Sequence, residues 1–173
     1  MRRKLTCMVL LSATVVVTAF HHSGTLWATP AERFVGTTLA VGRFAEVNAF
    51  PLSFTHEGHK SKFPVSAQSA NGTSDVYVES NVWRPGGSTG WHTHLGHSFI
   101  IVTEGAVTAY EGDDPDCKPH VYTQGMGFVD HGGDHVHILR NEGDVVAKTV
   151  AVQIITAAAV RRIDVADPGN CHF

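Results

Sequence analysis

Residues 86–105 read GGSTGWHTHLGHSFIIVTEG, and residues 131–141 read HGGDHVHILRN. The first stretch sets His92 and His94 one residue apart directly after a run of Gly, Ser and Thr. In an extended strand the chain rises ~3.3 Å per residue and alternate side chains share a face. Both imidazoles can therefore lean onto one ion at ~2.0–2.1 Å, the usual Zn–N distance. A solvated pair beside a turn would give the same spacing. The second stretch, with His131, His135 and His137, makes the metal reading the stronger one.

Around these two stretches the chain is written in short apolar segments separated by turn residues. Val76–Trp83 has the β-branched and aromatic character of a strand and is expected to end at Arg84-Pro85-Gly86-Gly87. Strands are predicted at Ser98–Thr103, Ala106–Tyr110, Val121-Tyr122, Gly125–Val129, His135–Arg140 and Val145–Ile155. Upstream, 29–54 reads as an entry segment with extended pieces at Thr37–Val41 and Val47–Phe54. Residues 55–75, THEGHKSKFPVSAQSANGTSD, read as an exposed loop. No segment carries a sustained helical period. About ten strands in about 145 residues point to an all-β, double-sheet jelly roll.

The two stretches together resemble the motifs of the cupin superfamily. Gly86, His92, His94 and Gly105 match the first motif, and His137 with Asn141 matches the end of the second. Two positions depart from the pattern. The Glu expected after the His-x-His pair falls at Ser98 or Phe99, and the Pro of the second turn is absent from His131-Gly132-Gly133-Asp134-His135. The resemblance covers about Asp75 to Ile155. It implies a double-stranded β-helix, the jelly-roll barrel, with a metal held inside by His92, His94 and His137. His97, His135 and Ser98 are further candidates for the place of the missing Glu. Cupins often pair as homodimers, which makes a homodimer the assembly implied here.

A donor set of neutral imidazoles without a carboxylate suits Zn, Cu, Fe, Co or Ni better than Mg or Ca. The cofactor read from the site is a divalent transition metal (Fe, Zn, Cu, Ni or Mn), with Mn most handicapped by the missing Glu. Three neutral ligands leave the ion's charge uncompensated, so bound water should be acidified or an anionic ligand attracted. A three-His arrangement on Fe resembles that of some cupin dioxygenases. Glu79, Asp130 and Arg140 read as surface or edge charges, Asn141 as a turn residue. Phe99, Ile101, Val102, Phe128 and Val150 read as core or barrel lining. Trp91 serves equally as mouth or packing residue.

The ends of the chain bear on compartment. Met-Arg-Arg-Lys precedes an uncharged apolar run from Leu5 to Phe20, followed by small residues. That order reads as a secretory signal peptide, too short for a spanning helix of ~20 residues. Cleavage fits after Ala28, after Ala31 or after Ala19, giving a leader at 1–28, an N-terminal segment and polar loop at 29–74, and a barrel with a C-terminal tail at 75–173. The full chain carries a formal charge of −3, and loss of Arg2, Arg3 and Lys4 makes the remainder more acidic. Nothing here supports nucleic-acid binding or stable membrane insertion after cleavage. Cys7 leaves with the leader, and Cys117 and Cys171 remain as one disulfide, the usual state of paired thiols in an exported chain.

Three functions follow: an exported metal-binding cupin acting on a small molecule, a non-catalytic module holding metal or a small ligand, and a metal-free structural module. The retained His-x-His pair and His137 speak against the third.

Overall fold

A single long strand organises the sheet. The computed structural model describes residues 28–45, 51–56, 59–64 and 73–173; all of the expected leader at 1–28 except Ala28 lies outside them. In chain order the strands are β1 (Glu32–Phe44), β2 (Pro51–His56), β3 (His59–Pro64), β4 (Ser74–Ser88), β5 (His92–Thr93), β6 (His97–Glu104), β7 (Ala106–Glu111), β8 (His120–Thr123), β9 (Gly127–Asp130), β10 (His137–Arg140), β11 (Ala147–Thr156) and β12 (Ile163–Asp164). Strand β4 lies between β1 and β11, and β11 continues through β6 to β9, all antiparallel. A second layer runs β8–β7–β10–β5–β12. The layers join where Ser88 of β4 pairs with Arg140 of β10, and ten strands form one nearly closed antiparallel jelly-roll barrel. No described residue is helical.

That junction corrects one expectation. Arg84-Pro85-Gly86-Gly87 does not end the strand but bends it. The β1 register slips between Glu32 and Phe34, opposite this segment, and Gly86 takes φ of 72°. A Cβ at Gly87 would stand 2.7 Å from Arg33 O, so only glycine lets the two backbones meet there. Gly86 N–H donates to Asn141 O and Asn141 N–H donates to Gly87 O. The bulge thus hands β4 from one layer to the other, a usual way for a strand to turn a barrel corner.

Two other differences are local. Residues 51–56 and 59–64, most of them expected in a loop, pair as the β2–β3 hairpin from Pro51↔Pro64 to His56↔His59. Strand β10 begins at His137 rather than His135, because Gly132 and Gly133 both take positive φ and keep 131–136 out of the ladder.

Burial follows the two-residue period. On β11, Ala147, Thr149, Ala151, Gln153 and Ile155 are buried and their neighbours only partly so. Ile100 and Val102 point inward from β6, whereas Ile101 is 55% exposed, against the expectation that it is core. The main core joins Trp83, Ile100, Val107, Ala109, Leu139, Ala147 and Ala151, with the Phe34 ring tilted against Trp83 at a centroid distance of 4.9 Å. Each fully buried Val or Ile side chain contributes ~1.5–3 kcal/mol, against ~1–2 kcal/mol of backbone entropy for each residue fixed. A second cluster of Trp91, Tyr110, Ile138 and Cys171 gives Trp91 its packing role. The Cys117–Cys171 disulfide, with Cα atoms 5.3 Å apart, fastens the C-terminal tail over that cluster. Asn141 is buried at the barrel corner, its Nδ2 donating to Trp83 O and Val145 O and its Oδ1 accepting from Gly143 N–H.

Candidate metal centre

Register alone brings the three expected histidines together. His92 opens the two-residue strand β5 and His94 follows directly after it, and His137 at the head of β10 pairs directly with His92. Directly opposed residues of an antiparallel pair place their Cβ atoms ~4.5–5.5 Å apart on one face. The ring centroids are accordingly 4.4 Å apart for His92 and His137, 4.9 Å for His92 and His94, and 5.6 Å for His94 and His137. One ring nitrogen from each of the three lies within 4.8 Å of the others.

Backbone carbonyls orient two of these rings. His92 Nδ1 lies 2.9 Å from Gly90 O and His94 Nδ1 lies 2.7 Å from Arg161 O. A carbonyl only accepts, so each Nδ1 carries the hydrogen and each neutral ring presents Nε2 as a lone pair. This is the orientation that outer partners impose on metal-ligating histidines. The Arg161 carbonyl is itself held in place, since its guanidinium pairs with the buried Glu79, which also accepts from Thr38 Oγ1 at 2.7 Å. Both ring nitrogens of His137 are buried without a hydrogen-bond partner.

Burial holds His92 well below the ordinary imidazole range, with the neighbouring His137 and Arg162 adding to the effect. His137 is also lowered, by burial first, although Asp130 opposes it. Both rings are kept neutral near pH 7, the form that binds a metal. The fit to a divalent transition metal is therefore good: three convergent nitrogen donors, two of them oriented by backbone carbonyls, with the buried His137 nitrogens left without a hydrogen-bond partner.

The structure corrects the reading of Asp130. It is not a surface charge but is 4% exposed, at the end of β9. Its Oδ2 stands 3.1 Å from His94 Nε2 and 3.6 Å from His137 Nε2, and its Oδ1 accepts from Gly132 N–H. The turn after it is stitched to the first histidine pair: Gly133 N–H donates to His94 O, and Thr93 Oγ1 donates to Gly133 O. Burial would raise the Asp130 carboxyl, but His137, His94 and the Gly132 N–H outweigh it and hold it far below the carboxylate range. The sequence signal is its place immediately before the His131-Gly132-Gly133 turn. Glu79, at 6% exposure, is likewise buried, whereas Arg140 sits 3.9 Å over the Phe173 ring.

The other candidates fall around this centre. His135 lies outside the β10 ladder with Nε2 2.7 Å from Glu111 Oε2. It forms, with Asp130 and His137, a second set of donors within 4.8 Å. Burial lowers the His135 pKa, but Glu111 outweighs it and leaves the imidazole raised. His97, at the start of β6, belongs to neither set. Ser98 is buried and pairs with Asp130 across β6 and β9. A cavity of about 980 Å³ adjoins the centre, lined among others by Asp130, His137, His135, Glu111, Phe99 and Phe128.

No protein-family model matches the chain, and no curated protein does. Among solved structures, Peruvianin-I, a cysteine peptidase from Thevetia peruviana latex, is 24% identical with a TM-score of 0.44, over 53% of this chain and 56% of that one. A sugar phosphate isomerase from a cupin superfamily of Silicibacter pomeroyi is 26% identical with a TM-score of 0.39, over 45% of this chain and 49% of that one. A predicted oxalate decarboxylase from Thermotoga maritima is 18% identical with a TM-score of 0.39, over 49% and 83%. The chain spans about half the length of the first two. The strand order and the histidine cluster inside the barrel define the class: an all-β jelly-roll barrel with a three-histidine centre suited to a divalent metal, an arrangement consistent with the cupin motifs of the sequence.

Proposed function

We propose that the chain is an exported metal-binding cupin that holds a divalent transition metal through His92, His94 and His137 and acts on a small molecule in the adjoining cavity. The observation that carries this reading is the convergence of three buried or half-buried imidazoles, two fixed by backbone carbonyls, on one point inside the barrel. The bound ion would supply Lewis acidity to an oxygen-donor ligand or an acidified water. The Glu111–His135 ion pair in the same cavity places a proton-transferring group beside that ligand, which favours turnover over storage. A thiol mechanism has no support among the described residues, since both of their cysteines are bonded to each other.

Export rests on the charged start and the apolar run at 5–20. Thr29 Oγ1 accepts from Trp91 N–H, and Thr29 N–H donates to Val165 O. Those bonds support cleavage ahead of Thr29 rather than after Ala31. Self-association is supported by Val35, Leu39 and Val41, exposed along β1.

Calorimetric titration of the chain with Zn and Co tests the metal reading. The expected result is one site per chain, lost in His94→Ala with the β spectrum retained. Equal binding by that variant removes the site. Oxygen uptake and hydrolysis assays on the loaded protein then separate an enzyme from a ligand-holding module.

A further inference from the structure

The carboxylate that the first motif lacks is present one strand away. We propose that Asp130 is the fourth protein ligand of the metal, transposed from β6 to the neighbouring β9. This rests on the three-histidine reading and adds an anionic donor to it. Ser98, one of the two positions where Glu is expected, pairs directly with Asp130 across the two strands, so the acid occupies the same layer of the barrel from the adjacent backbone.

The argument is one of lone pairs. Because His94 Nδ1–H is committed to Arg161 O, its Nε2 in the neutral ring is an acceptor. It faces Asp130 Oδ2, also an acceptor, at 3.1 Å. Two lone pairs at that distance in a buried site repel unless a cation lies between them. A proton on His94 would serve that contact alone. The same oxygen also stands 3.6 Å from His137 Nε2, and one cation serving all three atoms is a metal ion.

The spacing agrees. Two donors each ~2.1 Å from one ion stand ~3.0 Å apart at a right angle and ~3.4 Å apart at the tetrahedral angle. The other carboxylate oxygen is already satisfied by Gly132 N–H, while Oδ2 is buried with no hydrogen-bond donor. Among the described residues, the cationic partners within ion-pair distance of Asp130 are His94 and His137, with no Lys or Arg among them. Glu111, the other carboxylate of the cavity, is already engaged by His135 at 2.7 Å. With Asp130 ionised, a bound dication keeps one net positive charge rather than two, which eases its burial.

The test uses the full chain and Co(II), whose visible absorption reports its ligands. Wild type is expected to bind one equivalent. Asp130→Asn should weaken binding beyond the ~10–100-fold typical of an outer partner and alter the spectrum, and His135→Ala should stay within tenfold. Metal-free Asp130→Asn should melt no lower than metal-free wild type, because the amide relieves the lone-pair contact while still accepting from Gly132 N–H. If wild type binds no Co(II), the metal reading and this assignment fall together. If Asp130→Asn binds with unchanged affinity and spectrum while His94→Ala does not bind, the histidine centre stands and Asp130 is overturned as a ligand. Loss in His135→Ala with retention in His92→Ala would move the ion to the Asp130–His135–His137 set and overturn the four-ligand arrangement.

Discussion

Two adjacent glycines in the turn after β9 should respond very differently to the same methyl group. Gly132 and Gly133 have φ of 62° and 69°, both in the left-handed region. A Cβ on Gly132 would stand 2.3 Å from Gly96 O and 2.8 Å from His94 O, whereas a Cβ on Gly133 meets nothing within 4 Å. Gly133→Ala therefore carries the conformational cost alone, ~1–2 kcal/mol. Gly132→Ala adds a clash with backbone atoms that cannot rotate away. Overpacking of that kind costs ~1–3 kcal/mol, for a total of ~2–5 kcal/mol. At ~2–4 °C per kcal/mol for a chain of this size, Gly132→Ala should melt at least ~2 °C below Gly133→Ala. Relief of the clash must lift the turn off the His94–Gly96 backbone and carry Asp130 with it, so Gly132→Ala should also lose metal affinity while Gly133→Ala keeps it. Scanning calorimetry and metal titration of the two purified variants read both effects. Equal melting temperatures and equal affinities would refute the claim that this close approach positions the site.

Three further outcomes follow from the packing. Cys117→Ser opens a bridge with a sequence separation of 54 and should lower stability by about 4 kcal/mol on the chain-entropy account, read by urea unfolding; unchanged stability would remove the disulfide's structural role. Asn141→Ala strips partners from Trp83 O, Val145 O and Gly143 N–H in a buried corner and should cost ~2–4 kcal/mol, with a loss under ~0.5 kcal/mol counting against the corner as described. Asp75 is pulled down to about 2 by the Arg43 guanidinium and the Ala158 N–H. Its folded pKa is below the unfolded value, so its contribution is present above pH ~4 and lost as pH falls toward 2. Asp75→Asn should flatten that acid limb, and an unchanged limb would discount the pair.

How much of this was legible depended on what each feature needs. The strands from Ser98 onward are written in β-branched and apolar residues with a two-residue period, and they formed close to where the pattern places them. His92, His94 and His137 converge because local alternation and a single strand pairing suffice. Three features depend on backbone geometry that no side-chain pattern encodes. The Arg84–Gly87 segment carries every mark of a break, yet it is a bulge, because β1 slips register opposite it and β10 takes over the pairing. His135 leaves the ladder because two glycines turn the chain just before it. Asp130 reads as an edge charge by type, and its burial follows from Gly132 docking on Gly96, a contact between residues 36 positions apart. The expected leader at 1–28 lies, apart from Ala28, outside the described residues, and the reading of it rests on the order of charge, apolar run and small residues.

Elemental analysis of the untagged chain, produced by secretion and purified without chelators, bears most directly on the three-histidine centre. The account predicts about one equivalent of a transition metal per wild-type chain and none in a variant with His92, His94 and His137 all replaced by Ala. A wild-type chain that carries no metal, and takes up none on reconstitution with Fe, Cu, Ni, Zn or Mn, would contradict it.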